Sequence, residues 1–295
     1  MCELQVMLDS IDRATEDLRN RLESTTAPTA AIDHGLADVA ARLSAVERLQ
    51  RIESVSRWIS HAVLKTQPLV SVIIPTVDRT RLLRRALESV LAQRYGHFEV
   101  VVVADGGHEG TKAVVDDLGD PRIRWSRIPK GGVAAARNAA LALAHGQIVT
   151  YLDDDNMMDR EWLYSVVWAF EQRPDVDVLY GAVVVDDPLR INGESPGEVP
   201  QTFLQPWQRE PILETDMGTM AHRDGLAEAR FDEGLSYHAD GDLLVRLTAD
   251  RDPLVLPVVA CYYTTDDPNR VTVTGWTAAD RERSARMELD HAQSG

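Results

Sequence analysis

Asp153, Asp154 and Asp155 follow directly on Ile148-Val149-Thr150-Tyr151-Leu152, so three carboxylates emerge where a buried strand ends. In an open α/β sheet, ligands gather at that edge. Crowded carboxylates repel one another and are costly to bury unpaired. Hard oxygen ligands of this kind suit Mg2+ or Mn2+, above all when the phosphates of a substrate complete the shell. The competing reading is an acidic turn whose aspartates cap the next helix, expected over residues 159–172. A further carboxylate, Asp105, stands in Ala104-Asp105-Gly106-Gly107 after another apolar run. It can accept a hydrogen bond from an imide N–H, or simply open an Asp-Gly turn. The turn Pro75-Thr76-Val77-Asp78-Arg79 closes a third apolar run and frees carbonyls to face a nucleobase, unless Asp78 only caps the helix after it. Lys130-Gly131-Gly132 opens an Ala-rich helix that carries Arg137. Exposed N–H groups at a helix start favour phosphate, and the two cations reinforce this, although close packing on a sheet explains the alanines equally well.

The elements that must hold these groups follow from hydrophobic pattern. Continuous apolar runs at 69–74 and 98–103 read as strands buried on both faces. Strands are also expected over 122–128, 148–152, 176–185, 218–222 and 254–264. Helices are expected over 80–92, 109–118, 132–144, 159–172 and 241–249. Strands alternating with helices in this order make a parallel, doubly wound α/β sheet. Residues 186–211, rich in Pro, Gly and charge, read as a long loop, and 277–292 as a polar helical tail.

Residues 1–65 have a different texture and form a first unit, with 66–295 as the second. Leu4, Leu8, Ile11, Leu18 and Leu22, then Ile32, Leu36, Val39, Leu43 and Val46, trace heptad-like seams on two helices broken near Pro28. They suit a helical hairpin packed on the domain or an oligomerisation element joining copies of the chain, the narrow seams favouring the latter.

The chain has 295 residues, 44% of them hydrophobic, and a formal net charge of -16. That charge argues against a nucleic-acid partner, whose binding depends on neutralising phosphates. Two cysteines, Cys2 and Cys261, make no disulfide framework. The first residues lack a signal-peptide pattern and no apolar stretch reaches membrane length, so the expectation is a soluble cytoplasmic protein. No Gly-rich dinucleotide fingerprint and no P-loop is present.

Taken in order, Val70-Ser71-Val72-Ile73-Ile74-Pro75-Thr76, Phe98 to Gly106, Ala135-Ala136-Arg137-Asn138-Ala139-Ala140 and Leu152-Asp153-Asp154-Asp155-Asn156 resemble the family-2 glycosyltransferases of GT-A fold, over roughly residues 69–265. The resemblance implies a mixed α/β sheet and a nucleotide-sugar donor, with Pro75, Thr76, Asp78 and Asp105 at the nucleotide. Lys130, Arg137, Asp153 and Asp154 would lie along the rest of the donor. Asp153 and Asp155 would be the outer positions of a DxD element that binds Mn2+ or Mg2+, with Asp155 favoured as direct ligand.

By the same resemblance Tyr237-His238-Ala239-Asp240-Gly241-Asp242 is the element that supplies the catalytic carboxylate, Asp240. Ala239 stands where the family often has Glu, and Ala104 where it often has a second Asp. Asp240 is also well placed to cap a helix. A Gln-x-x-Arg-Trp element of processive synthases is absent. Asp266, Asp267 or Arg270 is expected to close over the diphosphate, and His222 and Trp207 to border the acceptor.

The expected reaction is inverting transfer of a sugar, from a UDP-sugar foremost, to an acceptor hydroxyl on a glycan, lipid carrier, peptide or small metabolite. Two alternatives are a nucleotidyltransferase, which would want a basic Gly-rich loop after the first strand, and a catalytically weak homologue serving as an assembly module.

Overall fold

The computed structural model describes residues 13–17, 29–186, 201–204, 216–235 and 239–264. A long helix, α1 (Thr29–Ser60), leads into strand β1 (Val70–Thr76). There follow α2 (Thr80–Leu91), β2 (Phe98–Asp105), α3 (Glu109–Leu118), β3 (Ile123–Ile128), α4 (Val133–Leu143) and β4 (Ile148–Tyr151). The chain continues through β5 (Met157–Met158), α5 (Trp162–Gln172), β6 (Val178–Asp186), β7 (Gln201–Phe203), β8 (Met220–Arg223), α6 (Ala239–Leu247) and β9 (Leu254–Thr264).

The strands form one mixed sheet in the order β3-β2-β1-β4-β8-β6-β9-β5, with β7 paired to β6. β3, β2, β1 and β4 are parallel neighbours, as their alternation with helices requires. β8 then runs antiparallel to β4, pairing Thr150 with Ala221. One edge of the sheet therefore collects the C-terminal ends of β1, β2 and β4 and the start of β8.

Every residue of β1 and β2 is buried. Their period of two divides the core cleanly. Val70, Val72, Ile74, Val100 and Val102 face one layer, made by α2, α3, α5 and the end of α1. Ile73, Val101 and Val103 face the other, made by α4 and α6. Each such Val or Ile contributes about 1.5–3 kcal/mol as an upper estimate. The ladder from β1 to β4 ends at Ile73 opposite Tyr151, two residues before Pro75, where no N–H is available to continue it.

α4 answers the question left by its alanines. Ala134, Ala136 and Ala140 are buried against the sheet, so their small size serves close packing. The second half of α1 packs on α5 and β9. Val46, Ile52 and Ile59 are buried, Ile59 at 1% exposure, and Trp58 meets Trp168 edge-on at 5.1 Å. Of the second heptad seam, Val46 is buried while Leu43 is exposed. The Leu4–Leu22 seam falls outside the described residues apart from 13–17, as do Cys2, Trp207, Asp266, Asp267, Arg270 and the tail.

Some boundaries differ from expectation. α5 starts at Trp162 rather than 159, because Asp159 turns its carboxylate to the Glu161 N–H at 2.9 Å and so ends the preceding turn. The segment after β6 is not wholly loop, since Gln201–Phe203 returns antiparallel along β6. Among the described residues, no helix is long and apolar enough to cross a membrane.

Candidate active site

The acidic run lies just beyond β4, where the Leu152 N–H donates to the Ile73 carbonyl at 3.0 Å. Its members point to different partners. Asp154, 1% exposed, accepts from Thr76 Oγ1 at 2.5 Å and pairs with the Arg79 guanidinium. Asp155 accepts from Arg79 Nη1 at 3.1 Å, and its carbonyl accepts from Arg85 Nη2 at 2.8 Å. Asp153 accepts from Arg137 Nη2 at 2.7 Å. None of these contacts caps α5, which has no side-chain cap, so the helix-capping reading of the run does not hold.

Burial pushes the Asp154 carboxyl up despite Arg79 and Thr76. Asp155 is pushed up to about 6, first by burial and then by the neighbouring Asp153 charge. Negative charge exceeds positive charge here.

Arg137 is 3% exposed and its guanidinium forks. Nη1 donates to Asp240 Oδ1 at 2.5 Å while Nη2 holds Asp153. Burial lowers its affinity for a proton, but Asp240 and Asp153 more than reverse this, so it stays a cation. Its guanidinium carbon lies 5.1 Å from the Phe231 ring centroid, in cation–π range. Asn138, the next residue, accepts from the Phe231 N–H at 2.8 Å and donates to the Phe231 carbonyl at 3.0 Å. The Arg-Asn pair thus fastens the segment after β8 to α4. Arg137 is engaged by Asp153 and Asp240, while Lys130 lies beside Gly106.

Asp240 lies in the first turn of α6. Two residues on, Asp242 is 4% exposed and pairs with Arg246 at 2.8 Å, so of the two only Asp240 reaches Arg137.

The turn after β1 is anchored at both ends. Thr76 holds Asp154, and Asp78, at φ 67°, accepts from the Thr111 N–H at 2.7 Å in the first turn of α3. Pro75, just ahead of these anchors, is buried. A Cβ on Gly110 would come within 2.8 Å of Asp78 Oδ1, so the cap needs glycine there. Asp105 accepts from the Gly131 N–H at 2.6 Å and the Gly132 N–H at 3.0 Å. The amides expected to meet phosphate are thereby engaged by Asp105. Lys130 is exposed beside Gly106, and its side chain has no ion-pair partner among the described residues.

A metal ion at Asp153 and Asp155 fits this donor set. Among the described residues, no three His, Cys, Asp or Glu side chains converge to hold a metal by themselves. Two carboxylates completed by phosphate oxygens is how Mg2+ is usually held, and the surplus of carboxylates over arginines favours a cation.

Residues 71–229 match the pattern described as Glycosyl transferase family 2. The chain belongs to that family. WcaA of Escherichia coli strain K12, a protein named as a glycosyl transferase of colanic acid biosynthesis, is 30% identical over 198 residues, 63% of this chain and 68% of that one. A glucosyl-dolichyl phosphate glucuronosyltransferase of Haloferax volcanii is 33% identical over 121 residues, covering 40% of this chain and 39% of the relative.

The fold of this family-2 chain is that of GT-A glycosyltransferases. TarS residues 1–349 of S. aureus, in complex with UDP-GlcNAc, superpose with a TM-score of 0.58 at 22% identity over 70% of this chain and 61% of TarS. The mannosyltransferase PcManGT of Pyrobaculum calidifontis, in complex with GDP-Man and Mn2+, gives 0.52 at 23% identity over 88% and 75%. The chain thus spans less than two thirds of TarS and of the Haloferax relative. The family match ends at 229, short of Asp240.

Two site residues of this family-2 protein escape sequence reasoning. Arg79, inside the quoted turn, becomes the counter-ion of Asp154 and Asp155. Asp216 caps a 3-10 turn, Met217–Thr219, that precedes β8. Its only sequence signal is Asp-x-Gly-Thr, a common turn pattern. His222 goes the other way. It is 1% exposed within the sheet, with Nε2 2.8 Å from the Tyr151 hydroxyl and Nδ1 2.7 Å from the Arg223 carbonyl. Those partners, with burial, make it a neutral structural imidazole with its proton on Nδ1.

Proposed function

We propose that this family-2 protein is a metal-dependent, inverting glycosyltransferase that takes a sugar from a nucleoside diphosphate sugar, a UDP-sugar foremost, to an acceptor hydroxyl. The observation that carries this reading is the fork of Arg137. It brings the first carboxylate of the acidic run and the α6 carboxylate onto one guanidinium. A donor diphosphate at the run and a base at Asp240 are then set on two sides of one space.

In this reading Asp153 and Asp155 hold Mn2+ or Mg2+, which when bound stabilises negative charge on the departing diphosphate. Asp240 takes the proton of the acceptor hydroxyl. The acceptor oxygen forms its bond to the anomeric carbon as the bond from that carbon to the diphosphate oxygen breaks, and the electron pair leaves with the nucleoside diphosphate. Displacement from the opposite face inverts the centre. Lys130, exposed and without an ion-pair partner among the described residues, is the cation best placed to meet the donor from the β2 side. Asp105, Asp78 and Pro75 act chiefly by shaping the nucleotide end, since Asp105 and Asp78 already hold backbone amides. Residues 66–295 would form the transferase domain, with 1–65 an N-terminal helical region that serves as a hairpin or an oligomerisation element.

The test is calorimetric titration with UDP, GDP and dTDP, with Mn2+ and with chelator, followed by product analysis on the matching nucleotide sugars. Metal-dependent binding of one diphosphate and its release during transfer support the reading. Release of pyrophosphate instead would mark a nucleotidyltransferase. Loss of transfer with retained donor binding in Asp240→Asn would place the base.

A further inference from the structure

Arg137 pairs with Asp153 and Asp240, and a third carboxylate, Asp216, feels the charge of all three. Its Oδ1 accepts from the Gly218 N–H at 2.8 Å and lies 3.6 Å from the Cys261 thiol, and its Oδ2 accepts from Asn156 Nδ2 at 3.2 Å. Among the described residues it has no ion-pair partner. A Cβ on Gly218 would lie 2.9 Å from Asp216 Oδ1 and 2.9 Å from Cys261 Sγ, so the glycine leaves the room this carboxylate occupies.

Its position follows from topology. β8 runs antiparallel to β4, so the turn that Asp216 caps lies at the strand-end edge, next to the residue that follows Asp155. Burial first, and then repulsion by Asp153 and Asp240, push its carboxyl up to about 7. An asparagine would cap the same turn without this penalty. The acidic group is therefore expensive for a purely structural part. Oδ2, with a single long contact, retains acceptor capacity.

We propose that Asp216 reads the transferred sugar, accepting a hydrogen bond from one of its hydroxyl groups. The inference rests on the donor reading above. A donor whose diphosphate lies at Asp153 and Asp155, and whose anomeric carbon faces Asp240, must set its sugar ring between those carboxylates. Asp216 is the third group bordering that space. A hydrogen bond from a hydroxyl to an ionised acceptor then discriminates among sugars without touching the nucleotide.

The experiment compares the unmodified protein with Asp216→Asn and Asp216→Ser, the latter retaining a short cap for Gly218. Each is titrated calorimetrically, with Mn2+, against UDP and against UDP-glucose, UDP-galactose and UDP-GlcNAc, with the GDP and dTDP series alongside. The expected result is diphosphate affinity unchanged within about twofold and affinity for the preferred nucleotide sugar reduced by about 10- to 100-fold. Equal weakening of diphosphate and nucleotide sugar, or of neither, overturns the inference and leaves Asp216 a structural cap. Failure of the unmodified protein to bind any of the diphosphates overturns the donor reading itself, and is seen in a separate arm. Thermal melting of both variants shows whether the fold persists.

Discussion

Asp153 and Asp240 meet on a single side chain: Arg137 reaches the first at 2.7 Å and the second at 2.5 Å from one planar guanidinium. The two carboxylates come from the end of β4 and the start of α6, so the width of the guanidinium sets their separation.

Replacing Arg137 tests that arrangement. Arg137→Ala leaves two carboxylates beside an empty buried space and is expected to destabilise the fold by about 3–5 kcal/mol. Arg137→Lys keeps the charge but not the fork. It should recover much of the stability while turnover stays at least about 100-fold down, because the two carboxylates are no longer co-planar clients of one group. Denaturant unfolding and initial rates check the two halves. A lysine variant with near-normal turnover would show that charge alone suffices.

Asp155 provides a test of the charge surplus. Its carboxyl is pushed up to about 6, chiefly by burial and by Asp153. Without divalent metal, Asp155→Asn should be more stable than the unmodified protein at pH 7.5, by about 1–3 kcal/mol. Saturating Mn2+ should reverse the order, since an ion at about 100 times its dissociation constant stabilises by about 2.7 kcal/mol and the variant lacks the ligand. Thermal melts with Mn2+ and with chelator give both comparisons. Equal metal-induced shifts in the two proteins would remove Asp155 from the ligand set.

The His222 imidazole makes a pH-dependent contribution of known sign. Burial holds it below its ordinary value of 6.5, so the unfolded chain takes up a proton before the folded one does. Stability from this residue is complete above about 6.5 and falls as pH drops from there towards the folded-state value, at up to about 1.4 kcal/mol per pH unit. His222→Gln keeps an acceptor for the Tyr151 hydroxyl and removes the titration. Unfolding free energies at pH 7.5 and pH 5.5 should differ more in the unmodified protein than in the variant. Identical slopes would mean that His222 does not titrate on unfolding.

Asp78 combines a left-handed backbone with a cap on α3. Asp78→Asn tolerates the same φ and still accepts from Thr111, so stability should change little. Asp78→Ala loses the cap and strains the turn, for a combined loss of about 2 kcal/mol. Equilibrium unfolding distinguishes them, and a nucleotide titration of the asparagine variant shows whether its charge matters to the donor.

Much of this could be read before the fold was known. The runs Val70 to Ile74 and Phe98 to Val103 admit one arrangement, because residues apolar on both faces need helices on both sides. The α3 boundaries were legible because Gly119 closes the helix in a left-handed conformation. The acidic run was visible because like charges in sequence are conspicuous. What the run does with each charge was not. Thr76 with Asp154, Asp105 with Gly131, and Arg137 with Asp240 are contacts between residues far apart in the chain, and each residue type has an ordinary local role that hides the distant one. Asp216 looks like a turn residue, and it is one. Its neighbours across the sheet make it more than that.

The clasp between Asn138 and the backbone of Phe231 has a consequence for engineering. Asn138 grips both the N–H and the carbonyl of Phe231, whose ring lies beneath the adjacent Arg137. The stretch between β8 and α6 is thus keyed to the same helical turn that spaces the two carboxylates. Grafting a foreign sequence into residues 224–235 transplants cleanly only if it preserves the backbone path at 231; a graft that shifts this point misaligns the carboxylates even when both are retained.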